Sequence, residues 1–215
     1  MLTERGNMEK DAAVKRAKFI QSSVETKELF KWAAPAEIIK ATKVYSSSFY
    51  GSNLWDLSGD KAKQVFTAWN TAVQMAWGCP IWTRTWMMQQ LLCCGHTSAR
   101  VDILSRYANF FHSLRRSACH EVQVLSRFLA RDVQSVTGKN LQYIQEATGL
   151  SPWTTSKRRL RDALVAGELA DVPPQDRWRL PYLNSLLSQR REAINLALEE
   201  EDKRLSKLID SLVAN

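Results

Sequence analysis

The side chains of this sequence that could do chemistry are mainly cationic, and they are concentrated in the middle third of the chain. Between Arg100 and Arg161, eleven basic residues stand against four acidic ones, an excess of seven positive charges in a chain of net charge +8. A concentrated basic field attracts polyanions, above all nucleic acid. Charge alone is also compatible with a merely solvated helical face, which is the more common case.

Six side chains in that span are the predicted phosphate contacts. Two adjacent arginines end one predicted helix, one lysine follows a glycine where backbone amides should be open, and three cations form a run. These residues are Arg115, Arg116, Lys139, Lys157, Arg158 and Arg159. Trp153 lies close to the run, where its ring could stack on a base or could cap a helical boundary.

Catalytic arrangements are harder to find. His96, His112 and His120 could serve in acid–base chemistry, but no nucleophile and orienting group accompany them in a recognisable pattern. The triplet at 137–139 lacks the first glycine and the length of a phosphate-binding loop, and there is no G-x-S-x-G elbow. We therefore predict no catalytic residue and no enzymatic activity.

The cysteines give little support for a metal site. Cys93, Cys94 and His96 are close in sequence, but zinc needs a second pair of ligands, and the adjacent Cys119 and His120 should point apart on a helix. Thiols buried in helices and kept reduced are the favoured interpretation. We predict neither metal nor cofactor.

The elements that must position the basic residues are helices. In the region 62–77 the apolar residues follow spacings of three, four and seven, which places them on one helical face. Pro35 is suited to the first turn of a helix, and Gly78 and Pro80 should end one. No strand-like alternation is present, so the predicted class is an all-α multi-helix bundle. The predicted helices cover 11–30, 35–50, 62–77, 83–94, 98–116, 121–130, 140–147, 157–164 and the region after 175, with an interruption at Pro181.

The same patterns predict a core and four segments. The segments are an N-terminal helix (1–34), a group of helices (35–96), a basic helical segment (97–149), and a linker with a helical tail (150–215), where Gly167 and Pro173-Pro174 belong to the linker. The predicted core consists of Phe49, Leu54, Trp55, Phe66, Trp69, Val73, Trp77, Leu104, Tyr107, Phe111, Leu114, Val124, Leu125 and Phe128.

The sequence lacks the apolar segments that would direct a protein into a membrane or out of the cell. The sequence has no run of 18 apolar residues and no apolar stretch in its charged N-terminus, so neither a membrane span nor a secretory signal is predicted. An intracellular protein, nuclear or cytoplasmic, is the expectation.

Several short motifs occur in an order that resembles one family. Tyr50-Gly51 with Trp55 nearby, then Trp69-Asn70 and Pro80, resemble the entry to the thumb in reverse transcriptases of non-LTR (LINE-type) retrotransposons. The matching segments are 47–57, 69–80, 98–107, 137–141 and 208–212. The resemblance extends over nearly the whole chain and implies thumb-like helices at 35–96 and post-thumb helices at 97–149.

The resemblance implies a function without the parent activity. In that family the helical thumb grips the template–primer duplex through phosphate contacts, and polymerisation uses a pair of adjacent aspartates on the palm to hold two metal ions. This chain has no adjacent Asp-Asp and no strand-rich palm or endonuclease pattern. Because Met1 opens inside the family pattern, we expect either a truncated reading frame or a fragment of a gene model.

Two hypotheses follow. The first is a remnant that binds RNA or DNA non-specifically through its basic helical face. The second is a helical interaction module whose basic face meets an acidic protein. Salt-sensitive, sequence-independent nucleic-acid binding would favour the first.

Overall fold

Helices are the regular secondary structure of the residues that the computed structural model describes, which are 4–46, 49–80, 83, 97–170 and 180–213. No strand occurs within these ranges, so the all-α prediction is confirmed. The α-helices there are α1 (Glu4–Leu29), α2 (Pro35–Ser46), α3 (Asp60–Ala76), α4 (Ala99–Arg115), α5 (His120–Arg131), α6 (Val136–Thr148), α7 (Lys157–Ala170) and α8 (Leu180–Val213), with a 3₁₀ turn at Ser52–Leu54.

Local chemistry explains several of the helix ends. The side chain of Ser98 accepts a hydrogen bond from Val101 N and caps α4, and Ser135 accepts one from Gly138 N and caps α6. Each cap satisfies one of the N–H groups that a first turn leaves without a helical partner. Gly149 ends α6 with φ of 65°, a left-handed conformation that favours glycine.

One layer of the structure consists of α1, α2 and α3, which contact one another. Phe19 of α1 is buried where these helices meet, with its ring centroid 5.7 Å from that of Phe49 and 6.0 Å from that of Trp69. Trp55 is also buried, and its indole N–H donates to Asp11 Oδ2 at 2.8 Å. The aromatic residues around the 3₁₀ turn therefore join the N-terminal helix to α3.

The second layer is organised around α4, which contacts α3, α5, α7 and the 3₁₀ turn, while α6 contacts α5 and α7. The buried face of α4 includes Ile103, Leu104 and Phe111. A polar link joins the layers, because Lys43 of α2 forms a 2.9 Å ion pair with Asp102 of α4. Buried residues of α1 to α4, α6 and α7 form one continuous core.

Most of the predicted core is confirmed. Phe49, Trp55, Trp69, Val73, Trp77, Leu104, Tyr107 and Phe111 are buried, whereas Phe66 and Leu114 are half-buried. Four assignments are wrong: Leu54, Val124, Leu125 and Phe128 are exposed. Leu54 ends the 3₁₀ turn. The other three lie on a face of α5 that points away from α4 and α6, so their apolar character did not indicate burial in this chain.

Several predicted boundaries also need correction. Gly138 lies inside the first turn of α6, so it does not separate that helix from the preceding segment. Gly167 lies within α7, which runs beyond 164, and Pro181 lies in the first turn of α8 and does not interrupt it. The helix that begins at Pro35 ends at Ser46, short of position 50. The helix predicted at 83–94 falls, except for Thr83, outside the described residues. The four-segment division stays a prediction.

No helix in the described ranges is both long enough and apolar enough to cross a membrane.

Candidate nucleic-acid interface

A cleft between the end of α4 and the start of α7 gathers several of the predicted phosphate contacts. Its volume is ≈ 460 Å³, and its walls come from α4, from the turn that precedes α7 and from Lys157 at the start of α7. Pockets of about 300–1,000 Å³ are the usual size for sites that hold small ligands. The lining residues are His112, Arg115, Arg116, Trp153, Thr154, Thr155, Ser156 and Lys157.

Arg115 is held in this cleft by Trp153. Its Nη1 atom donates to the Trp153 carbonyl oxygen at 2.7 Å, and its guanidinium carbon lies 5.1 Å from the centroid of the indole ring. Phe111, one helical turn earlier, meets the same indole edge-on at a centroid distance of 5.2 Å. Trp153 is therefore packed between two residues of α4. This geometry favours the boundary-capping role of Trp153 over base stacking.

The first turn of α7 forms the opposite wall. Ser156 precedes the helix, accepts a hydrogen bond from Arg159 N at 3.4 Å through its hydroxyl, and accepts one from Leu160 N at 3.0 Å through its carbonyl. The N-terminal turn of any α-helix presents N–H groups and a partial positive charge. Lys157 lines the cleft here, next to the exposed side chains of Arg158 and Arg159. The charges of the side chains and of the helix therefore have the same sign.

His112 lies in the cleft one turn before the two arginines of α4. Partial burial lowers its pKa, and the charges of Lys157, Arg115 and Arg116 lower it further, whereas a backbone hydrogen bond with Thr155 acts in the opposite direction. Its Nε2 atom is enclosed without a well-aligned hydrogen-bond partner among the described residues. His112 is therefore neutral at pH 7, and the positive charge of the cleft comes from its lysine and arginines.

The lowered pKa of His112 gives a testable pH dependence of stability. Below the ordinary value of 6.5 the unfolded chain takes up a proton more readily than the folded chain, so the free energy of unfolding should fall as the pH drops from 6.5 toward the folded-state pKa. The variant His112→Gln should reduce this fall. Urea unfolding at a series of pH values measures it. The exposed His120 supplies the control His120→Gln, and an unchanged pH dependence in His112→Gln would contradict the assignment.

The structure places the six predicted contacts in two regions. Arg115, Arg116 and Lys157 line the cleft, with Arg158 and Arg159 beside it on the first turn of α7. Lys139 lines a different cavity, together with Asp56 and Asp60 among others. The expectation of open amides beside Lys139 is wrong, because Gly138 N donates to Ser135 Oγ and Lys139 N donates to Ser135 O.

The sequence pattern presents His112 only as a candidate for acid–base chemistry and does not place it, or the threonines of the cleft, beside the predicted phosphate contacts. The signal for His112 was present, since residues 112, 115 and 116 are separated by three and four positions and so share a helical face. Thr154 and Thr155 carried no signal, because their position depends on how the turn before α7 folds back over α4. Arg100, counted in the basic field, has its guanidinium carbon 5.6 Å from the Tyr143 ring centroid, so part of this field also serves packing.

The cysteines add no site within the described ranges. The Sγ atom of the exposed Cys119 donates to Glu121 Oε2 at 2.9 Å, and Cys79 is half-buried. Among described residues, no group of three or more His, Cys, Asp or Glu side chains is arranged to hold a metal ion. Cys93, Cys94 and His96 lie outside those residues.

Comparison with known proteins identifies no relative: no family model matches the chain, and neither a curated protein nor a solved structure does. The resemblance to LINE-type reverse transcriptases stays a prediction from the motifs.

Proposed function

We propose that this chain binds nucleic acid without sequence preference through the cleft between α4 and α7 and the adjoining first turn of α7. We further propose that it is a catalytically incomplete remnant of a LINE-type reverse transcriptase. RNA or DNA would then be its partner, and the contacts would be to phosphates and not to base edges. The observation that carries the binding proposal is the convergence of Arg115, Arg116 and Lys157 on one cleft.

The positions of the basic side chains support this proposal. Arg115 is oriented by Trp153, and orientation in advance lowers the entropy cost of binding an anion. Arg116, Arg158 and Arg159 extend the positive surface beyond Arg115, so they can follow a phosphate backbone past the cleft. No base-stacking surface is needed for sequence-independent binding, in keeping with the packing of the half-buried Trp153 against Phe111 and Arg115.

The salt dependence of binding tests the proposal directly. We expect the wild-type chain to bind a labelled RNA–DNA heteroduplex with an affinity that falls steeply as salt increases. Arg116→Ala combined with Lys157→Ala should weaken binding and flatten the slope of log affinity against log salt by about two units, about one for each phosphate that is no longer neutralised. These two side chains are preferable to Arg115, whose replacement would also remove a structural hydrogen bond.

A matched control separates the site from the overall charge. Lys40 and Lys63 are exposed lysines of α2 and α3, each 3.8 Å from an acidic neighbour on its own helix. Replacing both with Ala removes the same charge and should leave most of the affinity and the salt slope intact. Equal decreases in the two double variants would mean that net charge, and not the cleft, governs binding. No binding by the wild-type chain would refute the proposed function.

The proposed catalytic incompleteness has its own test. Because the sequence has no adjacent aspartate pair to hold two metal ions, we expect no template-dependent incorporation of deoxynucleotides on primed RNA with Mg²⁺ or Mn²⁺. Incorporation is measured with a labelled nucleotide and an active reverse transcriptase as the positive control. Incorporation that persists through successive purification steps and follows the protein peak would overturn this proposal.

An acidic protein is the second candidate partner, because carboxylates suit the same cations and the same helix N-terminus. Competition distinguishes the two. A heteroduplex should displace a bound acidic peptide at low salt if nucleic acid is the preferred ligand. Saturable binding of one peptide sequence, with little displacement by the heteroduplex, would favour the interaction module.

A further inference from the structure

An exposed apolar face on α5 is unrelated to the cleft. Val124, Leu125 and Phe128 are 49%, 56% and 67% exposed, although they are among the most apolar side chains of the helix and its neighbours α4 and α6 lie close by. The opposite side of α5 is the one that packs, since Ser126 is buried there. Within the described part of the chain, nothing covers this face. Exposed apolar groups that are contiguous often mark an interaction surface.

The charges beside this face have a definite order along the helix. Glu121 lies in the first turn of α5 and Arg131 in its last turn, and both side chains are exposed. Arg127, also exposed, lies about 60° from Val124 around the helix and flanks the face on the side of Arg131. Successive residues of an α-helix are rotated by about 100°, so Glu121, Val124, Phe128 and Arg131 form one stripe along the exposed side. The stripe therefore begins with an acid, continues with apolar residues and ends with a base.

We propose that this face is a homodimer interface in which α5 packs antiparallel against α5 of a second copy of the chain. A two-fold axis level with Ser126 places Val124 at the height of the second copy's Phe128. The same axis places Glu121 at the height of the second copy's Arg131. Every contact occurs twice, as an isologous interface requires.

The order of charges is the reason to choose a second copy over another partner. A surface that carries an acid at one end and a base at the other is complementary to itself when reversed. An acidic partner would meet Arg131 and the flanking Arg127 favourably but would be repelled by Glu121 at the other end of the stripe. The 12 residues of this helix span about 18 Å, so the contact is small, and interfaces below about 1,200 Å² are typically weak. We therefore expect a dimer that dissociates on dilution.

Removal of the apolar contact is the first test. Sedimentation equilibrium over a concentration series, with reductant present so that the exposed Cys119 cannot cross-link, measures the dissociation constant. Phe128→Asp should weaken the dimer by about tenfold or more, because two like charges would enter its centre. The control is Val44→Asp on α2, which changes an apolar residue that is 70% exposed and lies away from α5. Both sites are exposed, and circular dichroism should verify that both variants remain folded.

Exchange of the charges is the sharper test. Glu121→Arg alone places arginines opposite one another, and Arg131→Glu alone places glutamates opposite one another. Each single variant should weaken the dimer by about tenfold. The double variant restores opposite charges in both pairs and should recover most of the wild-type affinity, a result that a partner other than a second copy would not give.

Three outcomes would overturn the proposal: a monomer at every concentration, a dimer that Phe128→Asp leaves unchanged, or a double charge variant as weak as the single ones. The proposal is independent of nucleic-acid binding, because none of the substitutions lies in the cleft. Titration of Phe128→Asp with the labelled heteroduplex would show cleft binding by the monomer.

Discussion

Replacing Asn140 with Ala should destabilise the protein by about 3 to 5 kcal/mol. Asn140 is fully buried on α6, and its side chain supplies hydrogen bonds to the backbone near the 3₁₀ turn. Its Oδ1 atom accepts from Leu57 N at 2.8 Å, and its Nδ2 atom donates to Trp55 O at 2.8 Å. Alanine would leave both backbone groups buried without a partner, and each such group costs about 1–3 kcal/mol.

Urea unfolding followed by far-UV circular dichroism measures this decrease in stability. Gln142 lies on the same helix but is exposed, and its side chain donates to Glu146 at 2.9 Å. The control Gln142→Ala should therefore change stability by about 0.5 kcal/mol or less. Similar decreases in the two variants would show that the Asn140 bridge contributes little. Asn140→Asp adds a finer comparison, since it keeps an acceptor for Leu57 N but removes the donor to Trp55 O.

Replacing Gly138 with Ala should have a comparable effect for a steric reason. A Cβ atom at position 138 would overlap the carbonyl oxygen of Asp132, which belongs to the backbone and has no side-chain freedom to move aside. The segment between α5 and α6 must shift to remove this overlap. We expect a decrease in stability of about 3 kcal/mol, the upper part of the range for core overpacking. Urea unfolding measures it under the same conditions.

Gly149, at the other end of α6, is the matched control. Nothing lies within 4 Å of the position of its Cβ, but its φ of +65° is left-handed. Gly149→Ala should therefore cost about 1–2 kcal/mol, the usual penalty for an L-residue in that conformation. If Gly138→Ala destabilises the protein no more than Gly149→Ala does, the backbone at Asp132 can move away from α6 at a lower free-energy cost than the geometry indicates.

Gly138 and Asn140 belong to the motif 137–141, one of the motifs on which the predicted resemblance to retrotransposon enzymes rests. Gly138 permits a close approach, Asn140 joins α6 to the 3₁₀ turn, and Leu141 is buried. Burial raises the pKa of Tyr107, and hydrogen bonds with Thr137 and Asn140 oppose that rise, so Thr137 contributes to the same cluster. Four of the five motif residues thus serve packing. The motif indicates how the fold is built and does not by itself support a phosphate contact at Lys139.

The sequence alone determined the helical class and most of the elements. Apolar residues at spacings of three and four define the buried face of α3, and Pro35, Gly78 and Gly149 mark helix ends through their own backbone preferences. These are local properties, so no distant contact is needed to predict them. The excess of positive charge in the region 100–161 can likewise be counted from the sequence. Arg115 and Arg116 are neighbours in the sequence, so their proximity is also known without the tertiary structure.

Tertiary structure alone decided which charges meet and which apolar residues stay exposed. Lys157 joins Arg115 because Trp153 packs against Phe111, a contact between residues far apart in the sequence that the packing of α4 and α7 brings together. Val124 and Phe128 have the spacing of core residues, but α4 and α6 approach α5 from its other side. Periodicity places side chains on one face of a helix, and only the packing of neighbouring helices decides whether that face is covered.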